Sequence, residues 1–96
     1  MIIESLNGVI TTSNGTANGT AVLLPATKAV GRSTWIAYNN GTATVYLGGS
    51  GVTATTGIPV GTLSYSPSFN IGNALIYGIT AAGNGTLSIM EISQYV

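Results

Sequence analysis

Ser33-Thr-Trp-Ile-Ala-Tyr-Asn39, Asn40-Gly41, Thr42-Ala-Thr-Val-Tyr-Leu-Gly48 is the stretch that decides the fold. Asn-Gly tolerates the positive φ angles of type I′ turns and is the strongest short-range hairpin signal. The segments on either side carry Thr, Val, Ile, Tyr and Trp, side chains that suit a pleated, half-buried surface. In the second segment Ala43, Val45 and Leu47 share one phase, and Thr42, Thr44 and Tyr46 take the other. The pattern predicts a hairpin of Ser33–Asn39 with Thr42–Gly48.

The same features recur outward along the chain. Asn-Gly occurs at residues 7, 14, 18, 40 and 84. Thr20–Leu24 reads as a strand that ends at Pro25, with Val22 and Leu24 on one face. Gly61–Ser66 reads as another, with Leu63 and Tyr65 inward and Thr62 and Ser64 outward. Asn73–Thr80 and Gly85–Ile92 form a second predicted hairpin across Ala81-Ala82-Gly83-Asn84. In its last strand Leu87 and Ile89 share a phase that Met90 and Ile92 leave, which predicts a bulge near Ile89 and Met90 or a change of packing partner.

Residues 2–12 supply a further candidate strand, interrupted at Asn7-Gly8. Residues 13–20, SNGTANGT, are either a linker or two successive tight turns, and Gly48–Pro59 reads as a long glycine-rich loop. No stretch holds a helical apolar period. The expectation is an all-β chain: a small antiparallel β-sandwich or compact barrel of about six to eight short strands. Residues 1–19 would be an N-terminal arm or extra strand, and residues 20–96 the sandwich domain.

Composition narrows the function classes. Of 96 residues only Glu4, Lys28, Arg32 and Glu91 are charged, and there is no His, Cys or Asp. Most groups that perform acid–base, nucleophilic or metal chemistry are therefore missing, which argues against an enzyme and predicts no cofactor and no metal. A carboxylate pair for glycoside hydrolysis would have to be Glu4 and Glu91. They stand near opposite ends of the chain and read as separate surface residues.

Gly48-Gly49-Ser50-Gly51 lacks the Lys and the following helix of a phosphate-binding loop. The four Asn-Gly-Thr triplets are formal glycosylation acceptors, but they are also what turns require. With zero net charge, nothing steers the chain to nucleic acid or anionic lipid. The N-terminal MIIESLNGVITTSNG has no basic region and no apolar run of signal length, and no run reaches the 18 or so apolar residues of a membrane span. The expectation is a soluble chain not exported by a cleaved signal.

A chain of this length buries only about 60–65 % of its unfolded surface, and no disulfide can reinforce it. Good sheet pairing, oligomerisation or docking on a larger body must supply the rest. Trp35, Tyr38, Tyr46, Tyr65, Tyr77 and Tyr95 read as core or interface residues, with a sugar-stacking platform as the alternative. Tyr38 and Tyr46 would be neighbours across the first hairpin. Lys28 and Arg32 flank the turn before the Trp35 strand. They either form a solvated loop, or Arg32 makes a forked hydrogen bond to a carboxylate or backbone carbonyls of a neighbouring subunit.

Arg32-Ser-Thr-Trp-Ile-Ala-Tyr-Asn-Asn-Gly-Thr-Ala-Thr-Val-Tyr-Leu-Gly-Gly-Ser-Gly-Val-Thr, followed by Thr56-Gly57-Ile58-Pro59-Val60, resembles small structural proteins of tailed bacteriophages. Asn73-Ala-Leu-Ile-Tyr-Gly-Ile79 is similar to their acidic-Ala-Leu-Tyr strand, with Asn73 where the acidic residue usually stands. The likeness spans about residues 20–92. It implies a head decoration (cement) or head-fibre-type virion protein, made in the host cytoplasm. Such a protein is commonly a homotrimer bound to the major capsid protein at threefold or quasi-threefold positions outside the head.

Partner contacts are then expected from the glycine-rich loop (Gly48, Gly49, Ser50, Gly51, Val52), from Lys28 and Arg32, and from Ile2 and Ile3 in the N-terminal stretch. The alternative is a tail-fibre or glycan-recognition module that uses exposed tyrosines.

Overall fold

The computed structural model describes residues 8–94, and Ile2, Ile3, Glu4 and Tyr95 lie outside it. The chain is all-β, with seven strands: β1 (Gly8–Ala17), β2 (Val22–Leu23), β3 (Arg32–Asn39), β4 (Val45–Gly48), β5 (Ile58–Val60), β6 (Tyr77–Ile79) and β7 (Gly85–Gln94). They form two antiparallel sheets, a three-stranded one in the order β1-β7-β3 and a four-stranded one in the order β2-β6-β4-β5. The result is a small β-sandwich. Between the layers lie Ala17, Trp35, Ala37, Leu87 and Ile89 from the first sheet, with Val45, Leu47, Val60, Leu24 and Ile76 from the second sheet and its flanks.

Both predicted hairpins are corrected. Ser33–Asn39 and the strand after it are real elements, but β3 pairs with β7 whereas β4 pairs with β5 and β6. Asn40-Gly41 carries the chain from one sheet to the other. The cause is Asn39, which is fully buried. Its amide donates to the carbonyls of Ala43 (2.9 Å) and Val60 (2.8 Å), and its Oδ1 accepts from the Gly41 N–H (2.9 Å). These bonds replace hairpin pairing and direct the turn across the core.

The second connection behaves alike, since β6 belongs to the four-stranded sheet and β7 to the other. Its turn is held by the Thr80 hydroxyl donating to the Gly83 carbonyl (2.6 Å), and Gly83 has φ of 72°.

Asn14-Gly15 is no turn either. It lies within β1, whose register with β7 runs unbroken from Gly8↔Gln94 to Ala17↔Gly85, so residues 13–17 are strand and not linker. Gly15 faces inward because Leu24 lies there. A Cβ on Gly15 would stand 2.5 Å from Leu24 Cδ2, and one on Gly78 in the opposite sheet 2.4 Å from Leu24 Cδ1. Leu24, 1 % exposed, thus fills a slot that a glycine in each sheet keeps open. The second half of the SNGTANGT stretch does turn, where Asn18 Oδ1 accepts from the Thr20 N–H (2.9 Å).

Gly61–Ser66 is not a core strand: Leu63 and Tyr65 are exposed, and Leu63 has a left-handed φ of 57°. Instead residues 63–72 run along the outer edge of β3. Leu63 N–H bonds Asn39 O, Asn39 N–H bonds Ser64 O, and Trp35 and Phe69 exchange both backbone bonds. Beside Pro67, the Ser66 hydroxyl takes the Ala37 N–H (2.9 Å). The cover is irregular, but it leaves that edge closed. β4 ends at Gly48 and β5 begins at Ile58, so the predicted loop 48–59 overlaps both strands and is a connection only between them.

Substituting Leu24→Ala is expected to cost about 2–5 kcal/mol, because the two facing glycines cannot close the void. Gly15→Val should be comparably harmful through overpacking. Urea denaturation measures both, and a loss below about 1 kcal/mol for Leu24→Ala would refute the slot as a keystone of the core.

Candidate functional site

Glu91 and Arg32 were expected at the surface, yet both are buried and meet each other. Arg32 Nη1 lies 2.8 Å from Glu91 Oε2, and each side chain is 1 % exposed. β7 keeps one phase throughout: Leu87, Ile89, Glu91 and Ser93 face inward while Met90 and Ile92 face out. The expected bulge in β7 is absent. It lies in β3, where Arg32 pairs with Ser93 and Thr34 with Ile92. The extra residue re-aims Arg32 to the inside, opposite the position that Glu91 needs filled.

The remaining arginine donors are also satisfied. Nε donates to the Gly72 carbonyl (3.0 Å) and Nη2 to the Ala74 carbonyl. The Ala29 N–H reaches Glu91 Oε2 (3.3 Å). The forked arrangement expected of Arg32 exists, but it is made within the chain, to a carboxylate and two backbone carbonyls, and closes residues 29–32 and 72–74 over the end of the sandwich. Arg32 is thereby withdrawn from any partner surface.

Lys28 is half-buried, and its Nζ donates to Asn73 Oδ1 (3.1 Å). The bond from Lys28 to Asn73 is a charge–amide contact and not an ion pair. Gly49, Ser50 and Gly51 are exposed on the β4–β5 connection, and Gly48 is half-buried. Val52 is buried instead, its methyl within 2.8 Å of where a Cβ on Gly48 or on Gly57 would stand. The structure brings none of these residues against Lys28 or Arg32 in a shared site. Ile2 and Ile3 lie outside the described residues.

Two features were missed from sequence. One is a shallow groove of about 500 Å³ on the outer face of the three-stranded sheet. Ile36 and Met90 contribute apolar surface, Thr12, Asn14 and Ser88 contribute polar groups, and Tyr38 with Tyr65 forms a wall. The two rings are tilted by 53° with centroids 4.7 Å apart. Tyr38 thus pairs with Tyr65 and not with Tyr46, because the hairpin that would have joined Tyr38 to Tyr46 does not exist. Trp35 belongs to the core, donating its indole N–H to the Leu24 carbonyl (3.0 Å). The second feature is an apolar cleft of about 200 Å³ between β4–β5 and residues 69–76, bordered by Gly48, Ile58 and Leu75.

Among the described residues no three metal-ligating side chains cluster, and the one carboxylate is held in a buried ion pair. Because that pair removes two of the three described charges from the surface, Lys28 is the sole charged side chain with exposure there. Val30, Ile10, Ile58, Leu63, Tyr65 and Leu75 are meanwhile exposed.

Arg32→Met is expected to cost about 3–5 kcal/mol, because it strands a buried carboxylate; adding Glu91→Leu should recover most of that loss. A double-mutant cycle in urea measures the coupling, and a single-variant loss under about 1 kcal/mol would contradict it. Comparisons of the chain with known protein families, with curated proteins and with solved structures return no match, so the functional reading rests on these surfaces and on the resemblance.

Proposed function

We propose that the chain is a non-enzymatic structural protein of a phage virion, a decoration protein that binds the outside of the head through the major capsid protein and stabilises it. The observation that carries this reading is the described surface, which holds one charge and six or more large exposed apolar side chains. Such a surface has little electrostatic repulsion to overcome on association and gains roughly 25 cal/mol per Å² of apolar area covered. A thin sandwich gains stability by docking. The resemblance over residues 20–92 supplies the virion context.

Contact through the exposed loop Gly49–Gly51 and the Ile58–Leu75 cleft would combine close backbone approach with an apolar anchor. Several linked contacts at a capsomer joint would add avidity. With so few charges, binding should be almost indifferent to ionic strength.

A second reading draws on the groove walled by Tyr38 and Tyr65. Two adjacent tyrosine faces beside Asn14 and Ser88 suit a neutral oligosaccharide, as in a tail-fibre recognition module.

The test is to add the purified chain to heads assembled without it. Saturable binding is expected, with affinity changing less than about threefold between roughly 50 and 500 mM salt, together with a higher temperature of head disruption. Heads that bind the chain yet break at an unchanged temperature would refute cementing. If the recognition reading holds instead, heads are ignored, oligosaccharide titration saturates, and Tyr65→Ala lowers that affinity about tenfold or more.

A further inference from the structure

A sheet edge is a row of unpaired N–H and C=O groups, and folds blunt such edges with short strands, proline, charge, bulges or a covering segment. This chain does so at three of its four edges. Residues 63–72 cover the free side of β3. β2 is two residues long. β5 is three residues long and carries Pro59, which has no N–H to offer.

β1 has none of these protections. It is ten residues long, holds no charge and no proline, and keeps an unbroken register with β7. Among the described residues nothing pairs with its other side. The strand is also accessible: Val9 and Thr11 face the interior side yet are exposed, although their partners on β7, Ser93 and Glu91, are buried, so the cover over that end stops short of β1.

We propose that β1 pairs antiparallel with β1 of a second copy of this chain, across a twofold axis, joining two three-stranded sheets into one of six. Antiparallel pairing about a twofold presents the same patch from both sides and satisfies both edges at once. The strand is complementary to itself, because Gly8–Ala17 carries no charge that self-pairing would set against its like. Thr11, Thr12 and Thr16 are side chains that pair well across strands. Val9 and Ile10 are 41 % and 64 % exposed on opposite faces of one strand end, and a neighbouring strand covers both. The proposal does not rest on the virion reading, and it departs from the homotrimer that the resemblance implies.

The measurement is the solution mass of the intact chain by light scattering over a hundredfold dilution series. Twice the 9.6 kDa of one chain is expected at high concentration. A monomer throughout, or the trimer implied by the phage resemblance, overturns the proposal.

Because the chain has no cysteine, the single variants Ile10→Cys, Thr12→Cys and Asn14→Cys can be oxidised without background. All three positions lie on one face of β1. Antiparallel twofold pairing brings only the residue at the axis opposite its own copy, so cross-linking should concentrate at one position and fall away from it. A dimer that cross-links equally at all three places the interface elsewhere. Thr12→Lys, exposed and outward, should shift the dimer constant by about tenfold or more while the circular dichroism stays unchanged; a folded Thr12→Lys chain with undiminished dimerisation also overturns the proposal.

Discussion

The buried pair of Arg32 and Glu91 sets the terms for the rest of the molecule. A carboxylate at an inward position of β7 is tolerable only if a cation reaches it inside the sandwich. The bulge in β3 exists to make Arg32 that cation. Once Arg32 is inside, its other donors draw in the carbonyls of Gly72 and Ala74 and fasten the β6 approach to the β3 entrance. One interaction therefore fixes strand phase, places the bulge and closes one end of the core. Such pairs seldom add much net stability over an apolar replacement, but losing one partner is severe.

The same pair explains which parts of the fold were legible in the sequence. Strand identity was readable wherever side chains alternate around β-branched and aromatic residues, as in Ser33–Asn39, Val45–Gly48 and Gly85–Ile92. The phase of β7 was not, because Glu91 looks polar and so appears to belong outside. With Glu91 assigned outward, Met90 and Ile92 seem to be the inward residues, and a bulge must be invented between Ile89 and Met90. The signal that could have corrected this was the scarcity of charge itself. In a chain with two acids and two bases, an acid inside an apolar strand and an arginine at the start of another are natural partners.

Asn-Gly misled for a related reason. The dipeptide reports local backbone freedom, whereas strand partnership depends on what the flanking side chains can satisfy. At Asn40-Gly41 the preceding Asn39 bonds to Ala43, Val60 and Gly41, so the chain changes sheets. At Asn14-Gly15 the glycine serves Leu24 and not a turn. Neither long-range demand is written in the neighbouring residues. The tyrosine wall was hidden by the same error, since it depends on residues 63–72 lying against β3.

Burying two charges against each other also changes what the outside of the protein can do. A domain of this size ordinarily keeps both signs of charge dispersed over its surface, which holds copies apart and discourages edge pairing. Here the described surface keeps Lys28, itself engaged with Asn73, while apolar side chains and a ten-residue uncharged strand edge stay open. Protection of the other edges shows that the fold can close an edge where closure is needed. The interior ion pair and the charge-poor, apolar exterior of the described residues are thus two consequences of one allocation of a very small number of charges.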